Sequence, residues 1–208
     1  MSRRLRAIAL AVAIGATGLA VAEAQTLPPG VFAAERDIAL ATAGSYTLDE
    51  SHTAVIVRVS HLGYSHSIFR FDRAKGMLVW DPAAVEKSKL EVSVEAASIT
   101  SNVKGFAEEL AGDAFLKSKE FPQAIFVSTA FKPVDKTRGT VEGQFTLMGK
   151  TRPITFDVTL IGAGKGFGGK PRLGVTAVAS IAPQDYGLPT FFTDPIQIVI
   201  DTEFERQS

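Results

Sequence analysis

Apolar and polar positions alternate through most of the chain after Ser45. Val55, Val57 and Val59 fall on one face of residues 53–59, with Arg58 on the other. Leu90, Val92, Val94 and Ala96 alternate with Glu91, Ser93 and Glu95, and Val141, Gly143, Phe145 and Leu147 alternate with Glu142, Gln144 and Thr146. A period of two marks strands with one buried face, as in an antiparallel sheet. Turn-forming runs separate these stretches: Arg73-Ala74-Lys75-Gly76, Lys136-Thr137-Arg138-Gly139, Met148-Gly149-Lys150-Thr151 and the Gly-rich residues 162–169. The pattern predicts strands over about 46–60, 66–73, 76–81, 88–98, 123–132, 138–148, 153–161 and 171–182, with a last one near 196–205.

One stretch follows another period. Phe106, Leu110 and Ala114 recur at i, i+4 and i+8 beside Ala107, Ala111 and Phe115, and Pro122 ends the segment. These elements predict an all-β fold with one helical segment: an eight-stranded antiparallel barrel with a helical lid or plug. Closure removes exposed strand edges, and a barrel of that size has room for one small ligand. A β-sandwich has the same strand count and remains the alternative.

The first residues stand apart. Arg3, Arg4 and Arg6 precede an apolar run over 7–21, and Ala22-Glu23-Ala24 follows. A basic start, an apolar run and an A-x-A end describe a secretory signal peptide over 1–24, cleaved near Ala24, with periplasmic export as the expectation. Residues 25–44 read as a linker or N-terminal arm, and 45–208 as the barrel domain. The chain has 22 basic and 22 acidic residues, three Arg and one Glu of them before the cleavage point. The remainder is near neutral without a basic run, which argues against nucleic acid as a partner. No stable membrane anchor is expected. With no Cys there are no disulfides, and stability has to come from the core.

All three histidines lie in 52–66. His52 and His61 are nine residues apart, on the order of 30 Å along a strand and on opposite faces. Zinc needs its ligand nitrogens within roughly 2.1 Å, so these two do not share an ion on one strand. His61 and His66 flank a turn, and a metal site or metal-dependent hydrolase built on them is the alternative reading. His61 continues the inward parity of Val59 and is expected at the rim; His66 is expected on the outer face. Glu108, Glu109 and Asp113 fit a solvated helix face. Ser51-His52 beside Asp49-Glu50 has the residue types of a triad without a nucleophile elbow. "GAGKGFGGK" at 162–170 lacks the Gly-Lys-Ser/Thr ending of a phosphate loop. No catalytic constellation emerges, so the chain is expected to be non-enzymatic and without a cofactor.

Fourteen Phe, three Tyr and one Trp carry more information. A barrel lined by such side chains either fills itself or holds an elongated apolar ligand. The residues expected to face that core or ligand are Val55, Val57, Val59, Phe69, Phe71, Leu78 and Trp80 from the first strands, then Val92 and Val94. Phe106, Leu110 and Phe115 would join them from the helix, Phe126, Phe145 and Phe156 from later strands, and His61 at the mouth.

The ordered motifs resemble those of the YceI-like family. They are His52-Thr53, Val57-x-Val59-Ser60-His61-Leu62-Gly63-Tyr64-Ser65, Asp113-Ala114-Phe115-Leu116 with Phe121-Pro122, and Gly143-x-Phe145-Thr146-Leu147-x-Gly149-Lys150-Thr151-x-Pro153-Ile154-x-Phe156-x-Val158. Asp185-Tyr186-Gly187 and Asp194-Pro195-Ile196 close the set. The resemblance implies an exported, lipocalin-like barrel, often dimeric, that holds an isoprenoid quinone, polyprenyl phosphate or similar apolar amphiphile for transport, storage or sequestration. Phe69 departs from a position commonly Gly in that family, and a Phe there is expected to reshape the cavity.

Overall fold

The computed structural model describes residues 34–207, so the expected signal peptide over 1–24 and residues 25–33 lie outside it. Among the described residues, eleven strands form one antiparallel sheet. They are β1 (Gly44–Leu48), β2 (Ala54–His61), β3 (Ser65–Phe71), β4 (Ala74–Trp80), β5 (Lys89–Glu95), β6 (Ile99–Thr100), β7 (Gln123–Pro133), β8 (Arg138–Leu147), β9 (Lys150–Lys165), β10 (Pro171–Ile181) and β11 (Ile196–Arg206). Neighbours run β1-β4-β5-β7-β8-β9-β10-β11, and β1 pairs back onto β11. The ring therefore closes through eight strands, as the alternation predicts.

The three extra strands are continuations. β11 pairs with β1 over Phe204–Arg206 and with β2 over Gln197–Asp201, so β1 and β2 are two halves of one bent stave. β3 runs into β4 and β5 into β6 in the same way, since β3 pairs with β2 and β6 while β4 pairs with β1 and β5. The turn expected at Arg73–Gly76 is thus a bend within one stave rather than a reversal. Ser98 holds it: its carbonyl accepts the Asp72 N–H and its Oγ the Arg73 N–H, both at 3.2 Å. The Arg73 carbonyl in turn takes the Glu95 N–H at 3.0 Å. Buried backbone groups left over by a bend need such partners.

The turn expected at 148–151 is a two-residue hairpin. Leu147 pairs with Lys150, and Met148 and Gly149 both have positive φ, at 50° and 71°. That is the twist a type I′ turn imposes, and glycine meets it without steric cost. The helical segment is shorter than its spacing suggests: α1 (Phe106–Ala111) stops at Gly112, whose N–H bonds the Glu109 carbonyl. Irregular turns continue to Phe121, with Leu116 N–H on the Leu110 carbonyl.

The interior has two apolar clusters. One lies toward α1 and includes Phe69, Leu110, Phe126, Phe156 and Tyr186; the other, around Tyr46, Leu78, Leu160, Leu173 and Phe204, lies toward the β7–β8 turn. Residues 34–43 form an arm across that second end. Glu35 bridges Ala163 with bonds of 3.0 and 2.8 Å, Ile38 N–H bonds the Lys136 carbonyl, and the Trp80 indole donates to the Ala41 carbonyl at 3.0 Å.

Candidate ligand cavity

A cavity of about 670 Å³ runs between the two clusters. Its walls follow the alternation: Val55, Val57 and Val59 line it from β2, Phe69 and Phe71 from β3, Leu78 and Trp80 from β4, and Val92 and Val94 from β5. Phe126, Phe145 and Phe156 line it from β7, β8 and β9, and Leu110 and Phe115 reach it from α1 and the turn beyond. The cross-strand register explains the β2–β3 wall, because Val55 sits opposite Phe71 and Val57 opposite Phe69. Phe69 does not fill the cavity; it packs against Phe106 with ring centroids 5.9 Å apart.

Two of the expected residues are elsewhere. Phe106 stands behind the wall, between Phe69 and Phe115, and serves as plug rather than lining. His61 is exposed and off the cavity. Its parity is inward as read, but the last β11 residue paired with β2 is Gln197, opposite Arg58. The β2–β3 hairpin overshoots the closed barrel there, so inward at His61 means beyond its end. His61 pairs with Ser65 and His66 with Ser60, which puts the two histidines on opposite faces of the ribbon. They do not converge on one point.

Among the described residues, the groups that do converge are Asp49, His52 and Glu203, with potential ligand atoms within 4.8 Å of one another. Arg172 already occupies that centre. Its guanidinium bonds Asp49 at 2.7 Å, Glu203 at 2.5 Å and Glu205 at 2.8 Å. Burial alone pushes the Asp49 carboxyl up; hydrogen bonds from His52, Arg172 and the Ser51 N–H outweigh it and hold the pKa at about 2. The cluster is an ion-paired network under the β1–β2 bend.

The cavity's ends differ chemically. The α1 end is closed by Leu110, Phe115, Leu116, Leu188 and Phe192, and Phe115 touches Phe191 and Phe192 at 6.1 Å between ring centroids. Tyr186 is buried beside Phe145 at 5.5 Å; burial, followed by the nearby Asp185, raises its hydroxyl pKa. The other end is polar, lined by Asp37 of the arm and by Lys132, Asp135, Lys136, Thr137 and Arg138 around the β7–β8 turn. Asp135 accepts the Thr137 and Arg138 N–H groups at 2.8 Å, and these bonds with the Arg138 side chain lower its pKa to about 2.

Sequence reasoning missed this polar mouth, because the run from Lys132 to Arg138 reads as an ordinary hairpin turn. It also missed the wall supplied by β10 and β11, including Leu173, Val175, Ile198, Ile200 and Phe204. The signal was present: Ile196, Ile198 and Ile200 alternate with Gln197, Val199 and Asp201, and parity alone would have found them.

Residues 46–204 match the model of the YceI-like domain. A UPF0312 protein of Pseudomonas putida strain W619 is 37% identical over 171 residues, covering 80% of this chain and 89% of that protein. Among solved structures, Burkholderia cenocepacia BcnA superposes with a TM-score of 0.67 at 22% identity, over 75% of this chain and 98% of its own. A polyisoprenoid-binding domain from Saccharophagus degradans, implicated in plant cell wall breakdown, gives a TM-score of 0.57 at 13% identity, over 80% and 100% of the two chains.

Proposed function

The chain belongs to the YceI-like family, and from that membership and its cavity we propose that it is a binding protein for a long apolar amphiphile, such as an isoprenoid quinone or another polyprenyl lipid. The observation that carries the reading is the cavity itself. Its volume of about 670 Å³ lies in the usual range for small-molecule sites, and its walls are mostly aliphatic and aromatic, with charged residues only at one mouth. A tail inside would exchange water for apolar contact at about 25 cal/mol per Å² buried. A head group would rest at the polar mouth. The similarity to a polyisoprenoid-binding domain agrees with this.

The proposal includes export. The basic and apolar start ending in Ala22-Glu23-Ala24 supports cleavage near Ala24 and a periplasmic carrier or store. No helix among the described residues is long and apolar enough to cross a membrane. The protein acts by holding its ligand: the wall is mostly Val, Ile, Leu and Phe, and its acidic and basic residues are confined to the mouth. Native mass spectrometry of protein purified by mild extraction is expected to show a co-purified amphiphile. A clean ligand-free mass, with no uptake of added quinone or polyprenyl lipid, would overturn the proposal.

A further inference from the structure

The cavity's charges are confined to one mouth, and there they are already matched. Among the described residues, the cations lining the cavity are Lys132, Lys136 and Arg138. Lys136 pairs with Asp37 at 3.6 Å, Arg138 with Asp135 at 2.8 Å, and Lys132 with Glu142. Deeper in, the polar lining consists of hydroxyls. Thr53 donates to the Asp49 carbonyl at 2.7 Å, and Thr202 bonds the Thr53 oxygen at 2.7 Å. Neither level of the cavity holds an uncompensated positive charge. Arg36, Lys117, Lys150 and Arg152 lie on the arm or toward the α1 end and do not line it.

Resting on the reading of this cavity as an amphiphile site, we propose that its ligand carries an uncharged polar head, an alcohol, carbonyl or amide, seated at the β7–β8 mouth. Phosphate and diphosphate esters of the same chain are discriminated against. A neutral head accepts hydrogen bonds from the spare N–H groups of Lys136 and Arg138 while both ion pairs persist. A diphosphate brings two or three negative charges to a mouth of balanced charge. It has to displace Asp37 and Asp135 from Lys136 and Arg138, giving up both ion pairs, or lie against the two carboxylates. Seated deeper, it would be a buried charge without a counterion, which costs far more.

The test compares a polyprenol and the polyprenyl diphosphate of the same length, using full-chain protein stripped of lipid and quenching of the single Trp80 as readout. At near-physiological salt the alcohol is expected to bind at least tenfold more tightly. Asp37→Asn with Asp135→Asn frees Lys136 and Arg138, so the ratio of diphosphate to alcohol affinity is expected to rise at least fivefold, and the gain to fade in high salt. A diphosphate that binds the unaltered protein as tightly as the alcohol overturns the proposal. An unchanged ratio in the folded double variant overturns the placement of the head at this mouth. Binding of neither ligand overturns the amphiphile reading itself, and is distinguishable because both arms are then blank.

Discussion

At the level of single residues, three side chains test how the barrel is built. Val57 lines the cavity opposite Phe69. Val57→Asp would place an unpaired carboxylate against apolar walls, and a loss of about 3 kcal/mol is expected in urea unfolding; an unchanged midpoint would show that Val57 does not face inward. Gly143 is a strand glycine for a specific reason: a Cβ there would overlap the Phe126 ring and the Val127 carbonyl. Gly143→Ala therefore has to displace a ring that lines the cavity, and a cost of about 1–3 kcal/mol is expected, together with weaker ligand binding. Asp49 tests the ion network. Its pKa of about 2 is below the ordinary 3.8, so its stabilisation is complete above that ordinary value and disappears as pH falls through 2. Asp49→Asn is expected to cost about 1–2 kcal/mol at pH 7 and about half as much at pH 3. A penalty that stays constant over that range would mean the carboxylate's charge plays no part.

At the level of elements, the staves were legible in the sequence and their bends were not. Alternation fixes which strand side chains face inward: twelve of the thirteen strand residues expected there line the cavity, as do two of the three expected from the helical spacing. It carries no information about which strand lies alongside. Arg73-Ala74-Lys75-Gly76 has turn composition, yet β3 and β4 form one stave because β1 and β2 are bent at the matching level, at the 3-10 turn Glu50–His52. Long-range pairing decides between a bend and a reversal. His61 failed for a similar reason: its parity was right, but the length of the partner strand set where the cavity ended. The arm over residues 34–43 was legible only as weak pattern, because its order comes from Ala163, Lys136 and Trp80, which lie far off in sequence. A chain beginning at Thr42 removes the carbonyl that the Trp80 indole uses. Its fluorescence is expected to shift to the red, with a loss of about 1 kcal/mol from the missing bond; an unshifted spectrum would mean the arm does not cover Trp80.

At the level of the whole molecule, a closed barrel with a hollow interior has an unusual dependence on what fills it. The core of an ordinary domain of this length packs to crystal-like density, and atoms facing a void lose their dispersion contacts. Here the aromatic and aliphatic wall from both clusters faces a shared space of about 670 Å³, so a bound tail completes the packing of each half at once. A ligand that binds only the folded state adds RT ln(1 + [L]/Kd), about 2.7 kcal/mol at a hundredfold excess over Kd. For a domain of this length, each kcal/mol raises the melting temperature by roughly 2–4 °C. Stripping lipid from the purified protein is thus expected to lower its melting temperature by about 5–10 °C, and adding a matched amphiphile to restore it. Because closure ties the eight staves into one cooperative unit, the shift should appear as a single displaced transition in calorimetry. A transition that splits, with only the α1-side signal moving, would show that the two clusters do not share one ligand.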